Sequence, residues 1–247
     1  MNRTVSPRAA LFLLSAAAAV TLLISSSSPV ASATAPVTVR IEGPTHTLLQ
    51  ATAVRLSSAA VVKNGVKADS CSGTSAAGAL EDATSGRWVG TWSASFKAYL
   101  VTGVESVSFP SSGAEFWAFW VNDKPSSLGI CGYDPKPGDS LLFFPDCYGK
   151  KCPPNAGVLG VKAAASTVLG KPLTVTVTAY SDAKGASSPK AGATVSGGGA
   201  SARTGPAGTA TLTFAHAGRV TVKATAPHAI RTETSICVAA SAGGSCG

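Results

Sequence analysis

The chain has 247 residues, of which 45% are hydrophobic and 13% are charged, and its formal net charge is +8. The apolar fraction is too high for a disordered chain, and no apolar run reaches the roughly 18 residues of a membrane-spanning helix. Scarce charge, against about 25% in an average soluble domain, together with abundant Ala, Ser, Thr, Gly and Val, is typical of β-rich extracellular modules.

Residues 1–33 have the three regions of a secretory signal peptide. Arg3 and Arg8 supply the positive start, residues 11–24 are apolar, and a small, polar segment ends at Ala33. Cleavage is expected after Ala33, at an Ala-Ser-Ala site; an uncleaved anchor is the alternative. We therefore expect a secreted, extracellular protein with no transmembrane segment after cleavage, either released or held loosely at the cell surface.

The composition changes sharply near residue 155. Of the sixteen aromatic residues, thirteen lie between Trp88 and Tyr148. The change falls at the Pro-Pro-Asn-Ala-Gly segment of residues 153–157, which is typical of a linker. We therefore predict two domains after the signal peptide, at residues 34–153 and 157–247.

The first predicted domain mixes strands with one helix. Alternation of apolar residues with period two, as at residues 37–42, indicates half-buried strands. A helix is expected over residues 75–83, capped by Ser75 and ended by Gly86, and Asn122-Asp123 predicts a turn. Strands are expected at residues 37–42, 48–56, 99–104, 116–121 and 140–144, whereas Trp88 and Trp92 are placed in a Gly-flanked loop. This order favours an α+β domain with one helix packed across a small sheet.

The second predicted domain contains strands only. Gly, Pro and Ser turns separate short segments of strand character, and the Thr-Val-Thr-Val-Thr run at residues 174–178 alternates cleanly. Strands are expected at residues 158–163, 173–180, 193–196, 209–214, 220–226 and 234–238. This spacing predicts an all-β sandwich.

Six cysteines in an exported chain predict three disulfides. Spacing alone does not select among the fifteen possible pairings, but flanking turns favour two local bridges, which leaves one long one. The favoured pairs are Cys147–Cys152, Cys237–Cys246 and Cys71–Cys131. The histidines are scattered and the close C-x₄-C pair stands alone, so neither a metal site nor a cofactor is expected.

The aromatic strand at residues 116–121 is the most informative segment. Phe116, Ala118 and Trp120 share one face, and Trp117, Phe119 and Val121 share the other. Either this is a central strand buried on both sides, or one face is uncovered and stacks a flat or sugar-like ligand. On the second interpretation, the candidate ligand-binding residues are Trp92, Trp117, Trp120 and Tyr133.

Two motifs carry a resemblance to a known family. FWAFWVNDKP at residues 116–125 and KPGD at residues 136–139 resemble the paired signature of a secreted bacterial domain of unknown function. That family is related to the C-terminal domain of transcobalamin, the vitamin B12 carrier. Over residues 37–145, the resemblance implies a β-grasp-like fold, an extracellular location and a binding role. Residues 158–240 resemble bacterial Ig-like repeats, a resemblance that implies an architecture but no function.

Catalytic motifs are absent from the sequence. There is no G-x-S-x-G and no H-E-x-x-H, and the neighbouring Glu81 and Asp82 diverge by about 100° on a helix. We therefore do not expect an enzyme. We expect a secreted or surface-associated binding protein that captures a small ligand, such as a corrinoid, a glycan or a peptide, through the aromatic face of its first domain. The alternative is a structural or adhesion-type surface protein without a small-molecule ligand.

The positive charge belongs to one half of the chain. Residues 34–156 hold ten basic and ten acidic residues, whereas residues 157–247 hold eight basic residues against Asp182 and Glu233. An anionic cell-wall polymer is therefore a candidate partner of the second domain. Nucleic acid is not expected, because no basic run exceeds Lys150-Lys151 and the basic half has few aromatic residues to stack bases.

Overall fold

The structure is a computed structural model that describes residues 36–110, 112–150, 152, 157–181 and 185–246. The predicted signal peptide and part of the predicted linker lie outside the described residues. No helix in the described ranges is both long enough and apolar enough to cross a membrane.

The first part of the chain forms two sheets and one helix. The larger sheet has the order β2-β1-β8-β6-β7, in which β1 and β8 run parallel and the other pairs antiparallel. A smaller antiparallel sheet has the order β3-β4-β5. The elements are β1 (Val37–Glu42), β2 (Thr47–Val54), α1 (Ala76–Thr84), β3 (Trp88–Ser93), β4 (Ala98–Val104), β5 (Val107–Ser108), β6 (Glu115–Val121), β7 (Lys124–Pro125) and β8 (Ser140–Cys147).

The helix lies where the sequence predicts it, but it is not capped as predicted. The Ser75 side chain makes no capping bond; its hydroxyl donates to the carbonyl of Ser72 at 2.6 Å. The first helical N–H groups donate instead to the carbonyls of Tyr133 and Ile130, at 2.8 and 2.9 Å. The chain leaves the helix through the left-handed conformation of Ser85.

The predicted α+β class is wrong. Half of the described residues are in strands and 4% are in the one helix found among them, so this part of the chain is nearly all β. The sequence correctly indicates a helix, but α1 covers only a small area, and the β3-β4-β5 sheet contributes Trp88, Tyr99 and Val104 to the same core. The β-grasp-like expectation for the first part is withdrawn with the α+β class.

The second part consists of strands packed in two sheets. One has the order β10-β17-β16-β13-β14, and the other has the order β12-β11-β15 with β9 paired to β11. Both sheets contribute to one apolar core, for example through Val175 and Val222, as expected for a sandwich. The strands are β9 (Val158–Ala163), β10 (Ser166–Val168), β11 (Pro172–Ser181), β12 (Ala186–Pro189), β13 (Thr194–Gly197), β14 (Ala200–Arg203), β15 (Thr209–Thr213), β16 (Gly218–Thr225) and β17 (Thr232–Ala239).

The two parts meet along an apolar seam. Trp120 of β6 and Phe144 of β8 pack against Val158 and Ile230 of the second part in a third buried cluster. Backbone bonds continue beside it, because Leu159 N–H donates to the carbonyl of Ile230 at 2.9 Å. The second part therefore covers one face of the larger sheet.

A charged network lies beside this seam. The carboxylate of Glu42 accepts bonds from Arg40 at 2.7 Å, from Arg231 at 2.9 Å and from the hydroxyl of Thr47 at 3.0 Å. Arg40 also donates to the backbone carbonyl of Arg231 at 2.6 Å. Since Arg231 belongs to the second part, the network ties it to β1.

The three predicted disulfides are confirmed. The structure pairs Cys71 with Cys131, Cys147 with Cys152 and Cys237 with Cys246, and no cysteine is left free. The first bridge spans 60 residues and joins the loop before α1 to the loop after β7.

Candidate functional site

The middle of strand β6 is buried on both faces. Trp117 lies in the core of the first part, and Trp120 lies in the seam with the second part. Their exposed fractions are only 8% and 7%, whereas Glu115 and Phe116 at the start of the strand are exposed. The expectation of an uncovered aromatic face is therefore corrected at the two tryptophans: the core of the first part covers one of them, and the second part covers the other.

The other two candidate residues have separate surroundings. Trp92 is half-buried in β3 and makes an edge-on contact with Tyr99, with ring centroids 5.0 Å apart. Tyr133 packs edge-on against Phe119 at 5.9 Å. Together with Trp117 they contact the core of the first part, whereas Trp120 lies on the opposite face. The four side chains therefore do not form one ligand surface.

Asp139 joins the two motifs that carry the family resemblance. Its carboxylate accepts bonds from the Tyr133 hydroxyl at 2.7 Å, the Lys136 N–H at 2.8 Å and the Asn122 amide at 2.8 Å. Asn122 and Asp123 both have left-handed backbone conformations, with φ of 49° and 62°, which a two-residue hairpin turn requires. The bond between Asn122 and Asp139 therefore holds the β6-β7 turn to the end of the loop before β8.

These hydrogen bonds set the protonation of the pair. Burial alone would raise the pKa of Asp139, but the bonds from Lys136, Tyr133 and Asn122 outweigh it and lower the pKa. Burial and the bond to Asp139 raise the pKa of Tyr133 to about 12. The Tyr133 hydroxyl therefore remains a donor at neutral pH, and this polar end is already engaged within the protein.

Replacing Asp139 by alanine is expected to lower the free energy of unfolding by about 1–2 kcal/mol at pH 7, because three partly exposed hydrogen bonds are lost. The folded-state pKa of Asp139 is lowered, so its contribution is complete above the unfolded value near 3.9 and disappears as the pH falls through the folded value. Denaturant unfolding at pH 7 and pH 2 measures this. Asp134→Ala, an exposed acid in the same loop, is the control; an unchanged Asp139→Ala deficit at pH 2 would contradict the assignment.

A groove of 360 Å³ runs beside β6, and we call it the β6 groove. It is lined by β6 from Phe116 to Trp120, by β4 around Leu100, and by the loop that contains Leu128. A smaller hollow of 150 Å³, lined by Trp117 and Tyr148, adjoins its Phe116 end. Leu100, Phe116 and Leu128 are 46%, 40% and 52% exposed, so the groove has an apolar rim open to solvent.

The backbone of β6 leaves one edge free along this groove. Asn122 N–H donates to Ser140, and the carbonyl of Ala114 accepts from Tyr148, so the even-numbered residues face β8. The odd-numbered residues then face the other edge, because hydrogen bonding alternates along an antiparallel strand. On that edge β7 pairs only with Trp120 and Val121, and among the described residues no further strand joins β6.

Trp117 carries an unsatisfied donor in the same place. Its buried indole Nε1–H has no hydrogen-bond partner in the described part of the molecule, which costs about 1–3 kcal/mol when nothing else compensates. Trp117 lines both the β6 groove and the adjoining hollow. This atom has almost no solvent-accessible surface, so the missing bond is a cost to stability and not a contact offered to a ligand.

A second cleft, of 410 Å³, lies at the seam and is lined by residues that include Pro44, Ile230 and Arg231. The Arg231 guanidinium already donates to Glu42 and to the carbonyls of Gly43 and Pro44, at 2.9, 3.1 and 3.1 Å. Its hydrogen-bonding groups are thus used to join the two parts, and this cleft is a weaker candidate than the β6 groove.

No protein-family model, curated protein or solved structure matches this chain. Within the described residues, no group of three or more His, Cys, Asp or Glu side chains is arranged to hold a metal ion. The candidate site is therefore assigned from the geometry of the groove. The sequence singles out Trp117 but not the groove, because Leu100 and Leu128 come from distant segments of the chain and no local pattern brings them together.

Proposed function

We propose that the protein is an exported binding protein whose first part captures its ligand in the β6 groove. The observation that carries this proposal is the open groove beside β6, whose rim exposes the apolar side chains of Leu100, Phe116 and Leu128. A volume of 360 Å³ is at the lower end of the range for ligand pockets, about 300–1,000 Å³. The predicted signal peptide agrees with an exported protein.

The groove predicts which substitutions should abolish binding. Leu100→Asp and Leu128→Asp place a charge on the apolar rim at exposed positions, so folding should be retained while affinity falls at least tenfold. Val89→Asp, at a 58% exposed site on the neighbouring strand β3, is the matched control. The probes are cyanocobalamin, an N-acetylglucosamine hexamer and a random peptide library, each measured by thermal shift and intrinsic Trp fluorescence. An affinity that the rim substitutions leave unchanged, or the absence of binding by every probe, would refute the proposal.

The basic second part supports an additional, weaker contact. By strand alternation, Arg203, Arg219 and Lys223 lie on the outer face of the five-stranded sheet. Lys223 is 3.7 Å from Glu233, which offsets part of this charge. We propose that this face contacts anionic cell-wall polymer, in which case retention at low salt should be lost in 1 M salt, where the Debye length is about 3 Å.

A further inference from the structure

We infer that the ligand of the β6 groove is an extended peptide segment that adds a strand to the free edge of β6. This inference rests on the proposed function, because it requires the groove to be the binding site. It goes further by choosing among the corrinoid, glycan and peptide classes.

The free edge presents backbone groups in the pattern of a strand. The N–H and C=O groups of Glu115 and Trp117 and the N–H of Phe119 point away from β8. The carbonyl of Phe119 is already used by Ser126 N–H at 3.1 Å, which marks the end of the open edge. Buried backbone groups are costly to leave unpaired, and an extended peptide supplies donors and acceptors at the matching spacing. Neither a corrinoid nor a glycan presents such a ladder.

The groove walls fit the side chains of a strand. A peptide paired with β6 projects alternate side chains to opposite sides, and the groove offers Leu100 on one wall and Leu128 on another. About five paired residues, at roughly 3.3 Å per residue, would cover the open edge from Glu115 to Phe119.

Charge indicates the composition of one end of the peptide. Glu115 is exposed at the start of the free edge and lines the adjoining hollow. A Lys or Arg in the peptide near Glu115 would complement this carboxylate. The occupant is therefore an extended segment of alternating apolar residues with a basic residue at one end.

The decisive experiment tests backbone pairing itself. Decapeptides selected from a random display library against the exported chain are resynthesised with N-methyl groups on either set of alternate residues. Methylation of the set whose N–H groups face β6 should weaken binding at least tenfold, and methylation of the other set should change it less than threefold. Leu100→Asp should abolish binding of the unmethylated peptide, and Val89→Asp should leave it intact.

Four outcomes would overturn the inference. Equal tolerance of both methylated sets would show recognition by side chains alone. Binding of cyanocobalamin or the glycan probe in the groove, with no peptide selected, would keep the proposed function and remove the peptide. A dimer that forms with rising concentration and is broken by Leu100→Asp would show that a second copy occupies the edge. Failure of every probe class would refute the proposed function as well.

Discussion

Replacing Glu42 by alanine is expected to lower the free energy of unfolding by about 3–5 kcal/mol, the cost of breaking a buried ion pair from one side. The Glu42 side chain is 1% exposed, and its carboxylate is the shared partner of Arg40 and Arg231. Its removal leaves two guanidinium groups beside each other at the seam, without a counter-charge. Urea unfolding followed by circular dichroism measures the loss.

The same variant should also change the shape of the transition. Each part has its own apolar core, and Glu42 bonds across 189 residues of sequence to Arg231. Weakening this link should split one cooperative transition into two. Glu105→Ala removes the exposed ion pair with Arg87, whose nitrogen and oxygen are 2.8 Å apart, and should cost under about 1 kcal/mol. A Glu42→Ala loss no larger than this control would show that the network does not join the parts.

Removing the Cys71–Cys131 bridge by a double alanine substitution is expected to cost about 4 kcal/mol. In the chain-entropy account the cost grows with the length of the closed loop, and this bridge spans 60 residues. It also fixes the helix, because the loop that follows β7 supplies the carbonyls of Ile130 and Tyr133 to the first turn of α1.

The matched control is the Cys147–Cys152 bridge, which spans five residues and whose removal should cost about 2 kcal/mol on the same account. Thermal unfolding of both double variants shows which bridge contributes more to stability. A larger loss from the short loop than from the long one would contradict the loop-length explanation.

Local patterns in the sequence predicted local structure well. Alternation located strands such as β1 and β11, the Asn122-Asp123 pair located a hairpin turn, and flanking turns located the short disulfides. The flanking glycines predict a loop around Trp88 and Trp92, whereas the structure has strand β3 there. A Cβ at Gly90 would lie 2.9 Å from the carbonyl oxygen of Leu100, so this glycine permits close packing within a strand.

What covers a strand could not be predicted from its own residues. The alternation in β6 correctly assigned Trp117 and Trp120 to opposite faces, but the cover over Trp120 comes from Val158 and Ile230, distant in sequence. Counting the charges in each half of the chain was misleading for a similar reason. The count assigns Arg231 to a basic surface, whereas in the structure this residue lies in the seam and pairs with Glu42.

The pairing of β1 also governs the order in which the molecule can assemble. β1 is at the start of the described chain, yet its parallel partner is β8, with Thr38 opposite Ser140. The carboxylate of Glu42, the last residue of β1, also forms an ion pair with Arg231. A strand synthesised early is thus paired with residues synthesised much later. Such distant pairing makes folding slow, since long loops must close before their contacts form. A nascent chain that ends before Arg231 leaves the Glu42 carboxylate with Arg40 as its one guanidinium partner among the described residues.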